Sequence, residues 1–333
     1  MAAGTGEQAA VGPVPPADPA DRTALAASVV ICAYTERRWE QTRAAVDSVL
    51  SQVPPPREVI VVIDYNAALA ERARHELRGV TVLENAGIRG LSGARNTGLR
   101  AASQAITVFL DDDAEARPGW LASLIEPYGE PEVVATGGQI FPRWPGPRRP
   151  AWFPPSFDWV VGCSYLGLPD SVARVRNPIG ANMSMRTALA LDVGGFSTAV
   201  GRVGGKPRGC EETELAIRLT AAKPGGSVLY LPAAAVDHHV SRDRIRLSYF
   251  LRRCWSEGLS KATVVRLAGS GPGLERERRQ AASVIPRSIL ADLRCLGRGE
   301  LMALGRAVAA CGGLAAAATG YLAGRLAMIV RQP

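Results

Sequence analysis

The stretch Ala105-Ile106-Thr107-Val108-Phe109-Leu110-Asp111-Asp112-Asp113 decides how this chain is read. Its first six residues make a short buried strand, and three carboxylates follow directly at the carboxyl end. Hard oxygen ligands gathered at a strand end suit Mg²⁺ or Mn²⁺, and such a cation suits a diphosphate. Open α/β sheets bind ligands at that same edge. Adjacent acids after a strand also make ordinary turns and helix caps, so the cluster needs support from the rest of the chain.

Upstream, ASVVICA at 27–33 and EVIVVI at 58–63 are continuous apolar runs, the second closed by Asp64. Between and after them, helical periodicity predicts helices over 38–52 and 67–77, with Pro54-Pro55-Pro56 ending the first. A short strand at 80–83 and a glycine-rich segment at 87–98 opening a helix lead into the strand at 105–110. Continuous apolar strands alternating with helices predict a mainly parallel sheet covered on both faces. Downstream the pattern predicts a helix over 118–128 and a strand over 133–139. An irregular loop or lid follows at 141–155, rich in Pro, Arg and Trp. Then come RNPIGANMS at 176–184, GCEETELAIR at 209–218 opening a helix, and a strand at 228–231 leading to Asp237-His238-His239.

The chain has 333 residues, 47% hydrophobic and 21% charged, enough for one large α/β domain with an extension or for two domains. Its net charge of +8 favours anionic partners: phosphorylated sugars, lipid headgroups or nucleic acid. No nucleic-acid recognition motif supports the last, and no strand leads into G-x-G-x-x-G, which counts against a dinucleotide oxidoreductase. The six cysteines lack metal-ligand spacing and read as buried small hydrophobes in a reducing compartment. Residues 1–26 lack a basic start and an apolar core segment; a disordered tail and a cytoplasmic catalytic part are expected.

Taken in order, SVVICAYTE (28–36), Asp64, NAGIRGLSGARNTGL (85–99), FLDDDA (109–114) and GCEETELAIR (209–218) resemble the family 2 glycosyltransferases of GT-A fold. The resemblance covers 27–240 and implies an inverting, metal-dependent transfer from a nucleotide-sugar, with a UDP-linked donor. It implies that Tyr34, Glu36 and Asp64 frame the nucleobase and ribose, although Asp64 also suits a turn. Gly93, Arg95 and Asn96 would approach the nucleotide, or cap the next helix. Asp111 and Asp113 would hold the Mg²⁺ or Mn²⁺, with Asp112 between them beside the donor. The family's catalytic base is commonly the aspartate of a Glu-Asp pair. Here the pair reads Glu211-Glu212, which points to Glu212 and leaves the choice between the two open. A carboxylate is needed there because a sugar hydroxyl is a poor nucleophile until its proton is taken. One of His238 and His239 would face the metal or diphosphate, since neighbours on a strand point opposite ways. Asn182 and Trp255 fall on the acceptor side, Asn182 alternatively pinning a turn.

More narrowly, RNPIGANMS, EETEL (211–215) and SYFLRRCWSEGLSKA (248–262) resemble the glucosyl-dolichyl phosphate glucuronosyltransferases, implying UDP-glucuronate and a lipid-linked acceptor. Residues 241–333 read as a basic helical extension. Arg242, Arg244, Arg246, Arg252, Arg253, Lys261 and Arg266 form either a solvated face or a contact with anionic lipid. Residues 307–324 carry no charge, at the lower edge of spanning length. A protein peripheral on the inner face of the cell membrane is expected. A nucleotidyltransferase on a similar sheet and a non-catalytic membrane partner are the rival readings.

Overall fold

The structure is a computed structural model that describes residues 26–201 and 209–329. The tail expected at 1–26 lies almost wholly outside them. The first half alternates β1 (Ala27–Ala33), α1 (Trp39–Leu50), β2 (Glu58–Ile63), α2 (Ala67–Glu76), β3 (Thr81–Glu84), α3 (Leu91–Ala101) and β4 (Ile106–Asp111). Then follow β5 (Ala114–Ala116), α4 (Trp120–Ile125), β6 (Val133–Arg143), β7 (Ala173–Val175), β8 (Asn182–Arg186), α5 (Thr187–Asp192), α6 (Glu211–Ala222) and β9 (Ser227–His239). Four helices complete the chain: α7 (Leu247–Ala268), α8 (Ser270–Arg279), α9 (Ile285–Leu296) and α10 (Met302–Ile329).

The strands form one sheet in the order β3-β2-β1-β4-β8-β6-β9-β5, with β7 added on β9. β1, β2, β3 and β4 are mutually parallel, in the expected positions. Both faces are dry. Val29 and Ile31 of β1 join one core cluster, and Val30 between them joins the other. This is the two-residue period of a strand buried on both sides. Because the chain steps from β1 outward to β3 and then back to β4, the carboxyl ends of β1 and β4 border the switch point where such sheets bind ligands.

Three expectations change in the second half. The strand expected at 133–139 runs on to Arg143, taking in the start of the supposed loop. The strand expected at 228–231 is thirteen residues long and carries His238 and His239 within it. Asn182–Arg186, for which the sequence pattern predicts no strand, is β8, wedged antiparallel between β4 and β6. Nor is 144–155 a free lid. Trp144 and Trp152 pack on Phe153, and Trp152 and Phe153 meet Phe250 of α7 at ring-centroid distances of 5.6 and 5.4 Å. Trp152 and Phe153 thereby help hold α7 to the sheet.

The C-terminal helices are fastened to the same body. α10 crosses α7 at backbone contact: a Cβ on Gly258 would lie 2.1 Å from the Ala317 carbonyl oxygen, and one on Gly320 would lie 2.2 Å from that of Trp255. Only glycine permits so close a crossing. Among the described residues α10 is the one helix long and apolar enough to cross a membrane by length and composition, and a third of its most apolar window is buried. Cys163, Cys210 and Cys254 are buried as expected, whereas Cys32 and Cys295 are half-buried and Cys311 is exposed on α10.

Candidate active site

Asp111 is the last residue of β4, paired across the sheet with Cys32 of β1. The chain then turns into β5, whose pairing sets Ala114 opposite His238 of β9. The His239 amide donates to the Asp113 carbonyl at 2.7 Å. That register brings His238 Nε2 to 3.1 Å from Asp113 Oδ1, while His239 points to the other face. Of the two histidines, then, His238 reaches the cluster. Arg38 Nη1 lies 2.7 Å from Asp112 and 3.1 Å from Asp113, and Arg244 Nη2 lies 3.3 Å from Asp113. Burial alone would raise Asp113, but His238, Arg244 and Arg38 together hold it well below the usual carboxylate range. Asp112 is pushed up to about 6 by burial, against the pull of Arg38, and its Oδ2 has no hydrogen-bond partner.

Ligand atoms of Asp111, Asp113 and His238 lie within 4.8 Å of one another. Two carboxylates with one imidazole, in a pocket where a buried carboxylate oxygen is left over, fit a divalent cation. The residues named from the sequence for this role are the ones the fold assembles, apart from His239.

The second acid pair opens α6. Cys210 takes a left-handed backbone (φ 75°), and Glu211 and Glu212 then enter the first helical turn, where the helix dipole favours acids. Arg95 of α3 joins the two clusters: Nη1 donates to Glu211 Oε1 at 2.8 Å, and Nη2 to Asp111 Oδ1 at 3.1 Å and the Gly180 carbonyl at 2.8 Å. Glu211 is thereby buried and committed to an ion pair. Glu212 is only partly buried, accepts from the Thr213 hydroxyl at 3.2 Å, and is raised from 4.5 to about 7 by burial and by the neighbouring Glu211. A carboxylate poised near neutrality is suited to accept a proton. Arg95, Asp111, Glu211 and Glu212 all line one cavity of about 550 Å³.

The other expected residues divide. Tyr34 and Glu36 are exposed at the end of β1, where the Tyr34 hydroxyl accepts from Arg38 at 3.4 Å. Asp64 accepts from the Gly90 amide at 3.0 and 3.1 Å and from Asn85 Nδ2 at 2.7 Å, which ties the end of β2 to the loop before α3. Gly93 is required by packing, since a Cβ there would sit 1.8 Å from the Ile88 carbonyl oxygen. Asn96 both donates to and accepts from the Phe196 backbone, so it pins the loop before α6 instead of meeting a nucleotide. Asn182 is wholly buried: its Oδ1 accepts from the Trp120 indole, and its Nδ2 donates to the Gln139 and Ala234 carbonyls. Wholly buried, with both Nδ2 hydrogens donated and Oδ1 engaged by the indole, it locks β8 to its neighbours and is out of reach of an acceptor sugar. Trp255 is also displaced. The face of α7 that lines the cavity carries Arg253, Glu257 and Lys261, and a residue two places along points elsewhere.

Sequence reading missed Arg38 and Arg244 as partners of the acid cluster, because nothing in their spacing marks an arginine as buried. It also left open a solvated face for Arg244, Arg253 and Lys261, which are 7%, 8% and 6% exposed and ion-paired.

Comparison with known proteins agrees with this geometry. The sequence model described as Glycosyl transferase family 2 matches residues 28–161. The glucosyl-dolichyl phosphate glucuronosyltransferase of Haloferax volcanii is 34% identical over 238 residues, covering 70% of this chain and 75% of that enzyme. The pre-mycofactocin glycosyltransferase of Mycobacterium tuberculosis is 27% identical over 191 residues, or 56% of this chain and 37% of that one. Among solved structures, the mannosyltransferase PcManGT of Pyrobaculum calidifontis, in complex with GDP-Man and Mn²⁺, superposes with a TM-score of 0.58 at 20% identity, covering 89% and 86% of the two chains. GalNAc-T7 with UDP, GalNAc and Mn²⁺ gives 0.52 at 19% identity, over 74% of this chain and 48% of that one. These two establish the GT-A fold. With two acid clusters joined at one sheet edge and that degree of identity to the Haloferax enzyme, the chain belongs to glycosyltransferase family 2.

Proposed function

We propose that this glycosyltransferase acts by a single displacement with inversion, moving glucuronate or a related sugar from its UDP-linked donor to a hydroxyl of a lipid-linked sugar. Arg95 carries the reading: by touching both Asp111 and Glu211 it keeps the diphosphate end and the proton-accepting end of the reaction in one cavity. Tyr34, Glu36 and Asp64, on neighbouring strand ends, would face the nucleoside. Asp111, Asp113 and His238 would hold Mg²⁺ or Mn²⁺, and the imidazole in that set favours Mn²⁺. The cation, when bound, offsets charge on the departing diphosphate.

In the displacement, Glu212 takes the proton from the acceptor hydroxyl as its oxygen bonds to the anomeric carbon. The bond from that carbon to the phosphate oxygen breaks, and its electron pair leaves with UDP. Glu211 is already engaged by Arg95, and its role is to hold that guanidinium in place. The 34% identity to an enzyme named for glucosyl-dolichyl phosphate and glucuronate supports donor and acceptor class. The exposed apolar side of α10 supports a place on the membrane surface. Thermal shift with UDP, with and without Mn²⁺, followed by a UDP-sugar hydrolysis screen, tests the donor. Full transfer by Glu212→Gln would refute the base.

A further inference from the structure

The half of the cavity away from Asp111 is built from the C-terminal helices, and the displacement above uses none of its charge. Arg253 is 8% exposed, its guanidinium stacks over Trp159 at 5.6 Å, and its Nη1 donates to Glu257 at 2.7 Å. Its Nε is buried with no hydrogen-bond partner. Lys261, one turn beyond Glu257, lies 3.4 Å from that carboxylate and 2.8 Å from Glu277, and Arg176 pairs with Glu277 at 2.6 Å. Arg276 and Arg278 line the same end. Among the described residues, Arg253, Lys261, Arg276 and Arg278 stand around Glu257, Glu277 and Glu212 there, with Arg176 already paired, and the Arg253 Nε–H is left among them as a buried donor. A cationic wall around an unmet buried N–H is set for an anion, because that N–H carries its full desolvation cost until one arrives.

The wall beside these cations is apolar. Leu314, Ala317, Ala318 and Tyr321 of α10 contribute it. Ala318 is also exposed, and it lies on a stripe of α10 with Leu304, Val308, Cys311, Ala315 and Leu322, all exposed and three or four residues apart. The cavity therefore opens from a cationic floor along an apolar wall onto an apolar outer face.

We propose that this half of the cavity is a lipid-phosphate site, in which Arg253, Lys261 and Arg278 take the phosphate of the acceptor and the α10 wall takes the first part of its hydrocarbon chain. The proposal rests on the glycosyltransferase reading for its biological acceptor, though not for its chemistry. A donor diphosphate belongs at the other end, beside Asp111. A free phosphate has no use for the wall.

The test is binding of farnesyl phosphate, farnesol and inorganic phosphate to the full chain in detergent with UDP and Mn²⁺ saturating. Farnesyl phosphate is expected to bind at least about tenfold more tightly than either of the others. Arg278→Glu, an exposed change that leaves the buried ion pairs intact, should weaken it about tenfold, and Ala317→Trp should block it, both with UDP affinity unchanged. Equal binding of inorganic phosphate, equal binding of farnesol, or indifference to both variants would overturn the site. Farnesyl phosphate binding without UDP binding would break the donor reading and uphold this one; the reverse breaks this one alone.

Discussion

The two ends of the cavity hold buried charge by different means. At the sheet end, Asp111, Asp112 and Asp113 leave a single strand, and their cations arrive from elsewhere: Arg95 from α3, Arg38 from the turn before α1, Arg244 from beyond β9. Backbone pairing sets the acids, and the arginines close around them. At the helix end the order is reversed. Arg253, Glu257 and Lys261 follow one another at four-residue intervals along α7, and each turn supplies its own counter-charge. Burial would raise Glu257, but Arg253 and Lys261 beside it hold it down to about 2. A rigid strand end suits a reaction that needs atoms fixed in place, whereas a helix face carries a broader field suited to positioning a charged ligand.

The largest effect should come from breaking the sheet end chemically. Asp111→Asn and Glu212→Gln are each expected to lower kcat roughly 10²–10⁴-fold. They should differ in binding. Glu212→Gln keeps Mn²⁺-dependent UDP binding by calorimetry, and Asp111→Asn loses it. Chelation of divalent cations should mimic Asp111→Asn, abolish UDP binding by Glu212→Gln as well, and add little to the loss already present in Asp111→Asn.

Next in size is Asn182→Ala. It strips three buried hydrogen bonds and should destabilise the fold by about 2–4 kcal/mol in denaturant titration. The acceptor KM of the folded fraction should not move; a selective rise would restore Asn182 to the acceptor site. A smaller effect concerns pH. Glu212 is raised from 4.5 to about 7, so the folded state favours its protonated form. Its contribution to stability is complete below the ordinary value and is lost as pH rises through about 7. Glu212→Gln should therefore raise Tm over the parent above neutrality and give no gain in acid. Over the same range kcat/KM of the parent should climb as the base deprotonates, with a limb near 7. The smallest effect is expected at Trp255, which lies off the cavity. Trp255→Ala should leave transfer to a water-soluble acceptor within about twofold.

How far the sequence could be read follows from where each element finds its partners. β1 and β2 match their expected limits because Ala27–Ala33 and Glu58–Ile63 are apolar on both faces, and such runs have no other stable place. β8 escaped notice because Asn182 and Ser184 are polar yet fully buried. The Ser184 hydroxyl is satisfied by Tyr128 and Thr136 at 2.9 and 2.6 Å, partners more than forty residues away. β9 was cut short at Pro232, where the register against β6 shifts between Gly138 and Ile140 and the strand then resumes.

The chain alone determined the parallel half-sheet, the acids at its edge and the family, because each depends on hydrophobic period or on residues close in sequence. Which histidine reaches Asp113, which glutamate stays uncommitted, and that Arg253 and Lys261 of α7 face inward were decided only by tertiary structure. Strand register, a bridge from Arg95 and the glycine-to-backbone crossing of α7 with α10 impose those choices, and each joins residues that no local pattern connects.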